Sequence, residues 1–102
     1  MAKFVAALKT SELADGSMVP TDAGGTHLLL TRIGGEVFAV SGTCTHEEAD
    51  LALGFRIEDR IVCQLHLSQF DLRTGEVLNP PATEPLRSFK VKIEGDTVFV
   101  EV

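Results

Sequence analysis

Both cysteines and two of the three histidines of this chain fall in two short segments, Cys44-Thr45-His46 and Cys63-Gln64-Leu65-His66, with sixteen residues between them. Thiol and imidazole so concentrated are metal donors first, and a single site needs both segments at one place, so the fold must bring two loops together. Zinc knuckles of the common kind keep like ligands together, as C-x-x-C followed by a histidine pair on a helix. Here each segment supplies one of each. Two metal ions side by side account for the interleaving, with the cysteines on one, the histidines on the other and each segment straddling both. Other readings stay open at this level: a mononuclear zinc site, a Cys-His nucleophilic pair that leaves the second pair without purpose, or buried cysteines with unrelated histidines.

The frame around these segments reads as β. Apolar alternation and turn residues recur at short intervals, and no window sustains a capped helical period. Phe4 to Leu8 is a first strand, followed by a polar loop from Ser11 to Gly25. His27 to Ile33 and Glu36 to Val40 flank Gly34-Gly35, a pair suited to a tight hairpin. Phe55 to Ile57 with Arg60 to Cys63, and Gln69 to Leu72 with Glu76 to Leu78, predict two further hairpins. At the end Phe89, Val91 and Ile93 alternate with lysines before Glu94-Gly95-Asp96 turns the chain into Val98 to Val102. Three prolines stiffen Asn79 to Pro85 against strand formation, and Glu47 to Leu53 is the candidate for a short helix. The six phenylalanines are expected in the core, and His27 is expected as a surface residue at a strand end.

A chain of 102 residues, 44% hydrophobic and 24% charged, is one folded domain. Fifteen acidic against nine basic residues give a formal net charge of -6, which disfavours nucleic acid and anionic membrane surfaces and suits transient docking on a basic partner. No apolar run reaches the roughly 18 to 20 residues of a membrane span, and the start lacks a signal-peptide pattern, so a cytoplasmic protein is expected. In a reducing compartment the cysteines read as metal ligands or redox thiols before a disulfide.

With the ligand segments, Phe70-Asp71-Leu72-Arg73-Thr74-Gly75 and Pro80-Pro81-Ala82 in view, the sequence resembles the Rieske iron-sulfur family, specifically the small ferredoxins of bacterial aromatic ring-hydroxylating dioxygenase systems. The resemblance covers nearly the whole chain. It implies an all-β fold, a single Rieske domain over residues 1–102 in which a cluster-binding subdomain of about residues 42–83 is inserted into an antiparallel β base. It implies one [2Fe-2S] cluster, with Cys44 and Cys63 on one iron and His46 and His66 on the other. Two ferric ions, two sulfides, two thiolates and two neutral imidazoles sum to zero charge, so such a cluster accepts an electron more readily than an all-cysteine one.

The implied function is electron shuttling without catalysis, from a flavin-containing, NAD(P)H-dependent reductase to a terminal Rieske oxygenase, by a monomer. Only His27 remains once the cluster is built, too few histidines for the mononuclear iron of an oxygenase. The alternatives are a Rieske-like small subunit of another oxidoreductase, such as a nitrite reductase, and a structural zinc module.

Several positions depart from the high-potential Rieske proteins of respiratory chains. Ala49 and Leu65 stand where those carry an extra cysteine pair, and Phe70 stands where they carry a hydrogen-bonding tyrosine, which predicts a potential near the low end of the Rieske range. Ser68 aligns with a serine that bonds a bridging sulfide and would act the other way, and Gln64 replaces a frequent proline. Glu47, Glu48 and Asp50 are read as a solvated loop, with partner docking as the second reading.

Overall fold

The computed structural model describes residues 3–43, 50–51, 54–63, 68–79 and 85–102. They form strands β1 (Phe4–Lys9), β2 (Met18–Ala23), β3 (Thr26–Ile33), β4 (Glu36–Ser41), β5 (Phe55–Ile57), β6 (Arg60–Val62), β7 (Gln69–Asp71), β8 (Val77–Asn79), β9 (Ser88–Phe89), β10 (Val91–Glu94) and β11 (Thr97–Glu101). Every pairing is antiparallel, in three sheets ordered β1-β11-β10, β2-β3-β4-β9 and β5-β6-β7-β8. The expected all-β fold is therefore present, and the hairpins about Gly34-Gly35, Glu58-Asp59 and Glu94-Asp96 form where the turn residues put them.

Two apolar clusters lie on opposite sides of the β2-β3-β4-β9 sheet. Leu28, Leu30 and Ala39 pack with Leu8, Leu13, Val98 and Val100 in one, while Leu29 and Val40 pack with Leu51, Ile61, Phe70 and Leu72 in the other. This explains why Leu28-Leu29-Leu30 does not alternate with polar residues: successive side chains point to opposite faces and here both faces are covered.

Three expectations need correction. The span Ser11 to Gly25 is not all loop, because residues 10–12 form one 3-10 turn and β2 occupies Met18–Ala23. Pro20 hid that strand, and it is tolerated because β2 is at the sheet edge, where a missing N–H breaks no inner ladder. The alternating stretch Phe89 to Ile93 is not one strand: Phe89 pairs with Ala39 and Val91 with Val100, so the chain changes sheets at Lys90. Nor do the phenylalanines fill the core. Phe70 is fully buried, Phe55 is 49% exposed, and Phe4 and Phe89 lie part-buried beneath the cations of Lys92 and Arg87, at 4.6 and 4.8 Å from the ring centres. Leucine and valine supply most of the buried volume instead. Of the helix expected over Glu47–Leu53, residues 47–49 and 52–53 lie outside the described residues, while Asp50 pairs with Thr43 in an antiparallel bridge.

Candidate metal centre

Both ligand segments and the proline segment are anchored by short backbone bonds at their bases. The first leaves the β2-β3-β4-β9 sheet after β4 and is closed where Leu51 N–H donates to the Gly42 carbonyl at 2.8 Å. The second is closed by Cys63 N–H donating to the Ser68 carbonyl at 2.8 Å, at the loop end of the β6-β7 hairpin. The proline segment starts from Asn79, which pairs with Gln69, and ends at Leu86, whose N–H donates to the Gly75 carbonyl at 2.7 Å. Leu51, Cys63 and Leu86 are all buried in the same apolar cluster, together with Leu29, Val40 and Phe70. Three chain segments distant in sequence are thus rooted in one core.

Of the four predicted ligands, Cys63 is placed, 1% exposed against that core, whereas Cys44, His46 and His66 lie outside the described residues. Glu47, Glu48, Ala49, Gln64, Leu65 and Pro80 to Ala82 lie outside them as well. The donor chemistry fits a cluster. A thiolate in an apolar wall is costly unless a cation neutralises it, and two ferric ions with two sulfides neutralise two thiolates in full. Phe70 projects from β7 opposite Ile61, fully buried and with no donor to offer a reduced centre, and the Ser68 side chain is also fully buried.

The sequence reading missed His27 as more than a surface residue. Its Nδ1 lies 2.7 Å from Asp22 Oδ1 and its Nε2 lies 3.1 Å from Asp50 Oδ1. A carboxylate faces each ring nitrogen, an arrangement that favours the doubly protonated ring, in which both nitrogens donate. The hydrogen bond to Asp22, followed by that to Asp50, raises the pKa of His27 above its ordinary value, against a smaller desolvation effect. Gly42 N–H donates to the His27 carbonyl at 3.0 Å, and the ring lies so close that a Cβ on Gly42 would sit 2.5 Å from its Cδ2. Glycine is needed there for want of room. Asp50, read from sequence as solvated or docking, has its carboxylate on this histidine. The signal was available: Asp22 and His27 are directly opposed across the Gly24-Gly25 turn, a relation hidden while β2 was taken for loop.

The Rieske [2Fe-2S] domain family matches residues 3–90, and the chain belongs to that family. It carries a Rieske-type [2Fe-2S] cluster, which replaces the zinc site the ligand spacing had left open. Among particular proteins, it is 40% identical over 93 residues to the ferredoxin component of biphenyl 2,3-dioxygenase from Rhodococcus jostii (strain RHA1), covering 91% of this chain and 87% of the relative. The ferredoxin of carbazole 1,9a-dioxygenase from Nocardioides aromaticivorans IC177 has a similar structure, with a TM-score of 0.87, 33% identity and 96% of each chain covered. A chain in the complex of reduced oxygenase and oxidized ferredoxin of carbazole 1,9a-dioxygenase is also similar, with a TM-score of 0.86, 29% identity, and 96% of this chain and 92% of that one covered. Among the described residues, no helix is long and apolar enough to cross a membrane.

Proposed function

We propose that this chain is the electron carrier of an aromatic-ring dioxygenase system, taking single electrons from an NAD(P)H-dependent flavoprotein reductase and delivering them to the terminal oxygenase. It acts as a cytoplasmic monomer and is not itself catalytic. Cys44 and Cys63 hold one iron and His46 and His66 the other, within a subdomain of about residues 42–83 inserted into the β base. The observation that carries this reading is the interleaved C-x-H and C-x-x-H pattern in a chain 40% identical to a dioxygenase ferredoxin component.

When bound, the cluster supplies reversible one-electron chemistry. The chain's own residues set the conditions. Buried Cys63, with Leu51 and Leu86 beside it in one core, fixes where the ligand segments start and end. Phe70 contributes apolar surface without a hydrogen bond, which favours the low part of the range of about -150 to +300 mV open to such centres. The acidic surface steers the carrier to basic partners and weakens the encounter as salt rises.

The test is an electron paramagnetic resonance spectrum before and after dithionite, with iron and sulfide counted on the same sample. A rhombic signal of low average g on reduction, with two irons and two sulfides per chain, is expected, and its loss in Cys44→Ser tests the ligand set. A colourless zinc protein overturns the reading. Permanent association with one oxidoreductase, in place of transient docking, overturns the shuttle.

A further inference from the structure

Phe55 and Ile57 are large apolar side chains left in water, 49% and 47% exposed, two residues apart on β5. Strand pairing defines the surface they belong to. Phe55 stands opposite Val62 and Ile57 opposite Arg60 on β6, and these in turn stand opposite Gln69 and Asp71 on β7. Residues opposed in this way share a face, so Phe55, Ile57, Arg60, Gln69 and Asp71 lie together on the side of the sheet turned away from the core that takes Ile61 and Phe70. β5 is an edge strand of that sheet, and Val62 directly precedes the predicted ligand Cys63.

Arg60 gives this face a charge. Asp71 is directly across from it, yet the Asp71 carboxylate accepts from the N–H groups of Arg73 and Thr74 at 2.7 and 3.2 Å and serves its own turn. The Arg60 guanidinium donates instead to the Gln69 amide oxygen at 3.2 Å, and no carboxylate pairs with it among the described residues. The face is also held in shape. Glu58, in the turn between β5 and β6, has a φ of +53°, the one positive value at a non-glycine residue among those described. Arg56 Nε donates to the Glu58 carbonyl, Leu72 N–H donates to the Asp59 carbonyl at 2.8 Å, and the Asp59 carboxylate pairs with Arg73 at 3.3 Å. A strained turn pinned in this way presents Phe55, Ile57 and Arg60 at fixed places, which lowers the ordering cost of a contact.

We propose that the outer face of β5 and β6 is a docking surface for the terminal oxygenase, on which Phe55 and Ile57 meet apolar side chains and Arg60 meets a carboxylate of that protein. The inference rests on the reading of the chain as a carrier to that oxygenase. Exposed apolar side chains beside an arginine have the composition of an interface centre, and the element they lack is the anion. A second copy of the same face does not supply it, because its own carboxylate, Asp71, is taken by the turn that follows β7.

The charge of Arg60 gives the contact a sign. Attraction between an acidic carrier and a basic partner strengthens when a positive charge is removed from the carrier, whereas a local pair between Arg60 and a carboxylate is lost. The two effects oppose each other in Arg60→Gln, which makes the net charge of -6 one unit more negative.

The experiment measures the affinity of the cluster-loaded protein for the terminal oxygenase by isothermal titration calorimetry, with a melting temperature taken for each variant. Ile57→Thr keeps a β-branched residue in the strand and should weaken binding about tenfold through loss of an apolar anchor. Arg60→Gln should weaken it as well, and Arg60→Lys should recover part of the loss. Ile93→Thr, at a side chain 45% exposed but on β10, should bind as the unaltered protein does. An Arg60→Gln variant that binds as tightly as the unaltered protein or more tightly, or an Ile57→Thr variant indistinguishable from Ile93→Thr, overturns the docking face. A loss confined to the reductase or to self-association overturns it too. Failure of the carrier reading is separate: the unaltered protein would then neither bind the oxygenase nor give up its electron to it, whereas failure of the face leaves both intact in every variant.

Discussion

Gly75→Ala should destabilise the protein far more than Gly25→Ala, although the two glycines have nearly the same backbone conformation. Their φ angles are +82° and +79°, a region in which an L side chain costs about 1–2 kcal/mol, so this cost is common to both. The surroundings differ. Nothing lies within 4 Å of a Cβ built on Gly25, whereas one on Gly75 overlaps the Leu86 carbonyl oxygen and sits 3.0 Å from its carbon. Those are backbone atoms, so no rotamer change relieves the overlap and the segment must move. Movement breaks the bond from Leu86 N–H to the Gly75 carbonyl and draws a buried leucine from the core. Leaving one buried polar group unpaired adds about 1–3 kcal/mol, which puts Gly75→Ala at about 2–5 kcal/mol in all. A domain of this size shifts by roughly 4–8 °C per kcal/mol, so at least about 4 °C should separate the two variants in thermal melts followed by circular dichroism at one scan rate. Equal melting temperatures would refute the steric reasoning and leave the φ cost as the whole effect.

Thr31 on β3 is 1% exposed and its Oγ1 has no hydrogen-bond partner among the described residues. Thr31→Val should therefore stabilise the protein by about 1 kcal/mol, seen as a higher melting temperature; a loss would mean that the hydroxyl is satisfied in solution. Leu51→Ala and Leu28→Ala each remove a fully buried side chain and should each cost about 2–5 kcal/mol, but in different clusters. Leu51→Ala should hasten cluster loss well beyond Leu28→Ala at a temperature where both stay folded, and equal rates would deny Leu51 a local role. Phe70→Tyr should raise the midpoint potential in a redox titration by adding a donor; an unchanged or lower value would remove Phe70 as a determinant of potential.

The residues differ in how openly they declare their place. Gly34-Gly35 and Glu58-Asp59 marked their hairpins because turn chemistry is local, and the ligand pattern was specific because interleaved thiols and imidazoles suit few centres. The edge strand β2 was obscured by Pro20, since the cost of a missing donor depends on whether a neighbour waits on that side. The sheet change at Lys90 was illegible for a related reason: alternation reports which face is covered and not which sheet covers it. His27 stayed hidden because its two partners come from segments placed together only by the fold, one of them 23 residues away. Phenylalanine misled in the other direction, its size suggesting burial while cations covered several rings at the surface.

The wall between the two apolar clusters sets rules for how such a protein can change. Leu28 and Leu29 are adjacent in sequence but belong to different interiors, so neighbouring codons answer to separate constraints. Substitutions beside Cys63 can retune the electron-carrying end while the interior that contains Val98 and Val100 keeps its shape, because packed contacts do not cross the sheet. What does cross is the backbone of β3 and β4, which cannot shift for one side alone. A lineage that adapts its carrier to new partners is therefore free to vary side chains on one face and is held to a fixed strand register by the other.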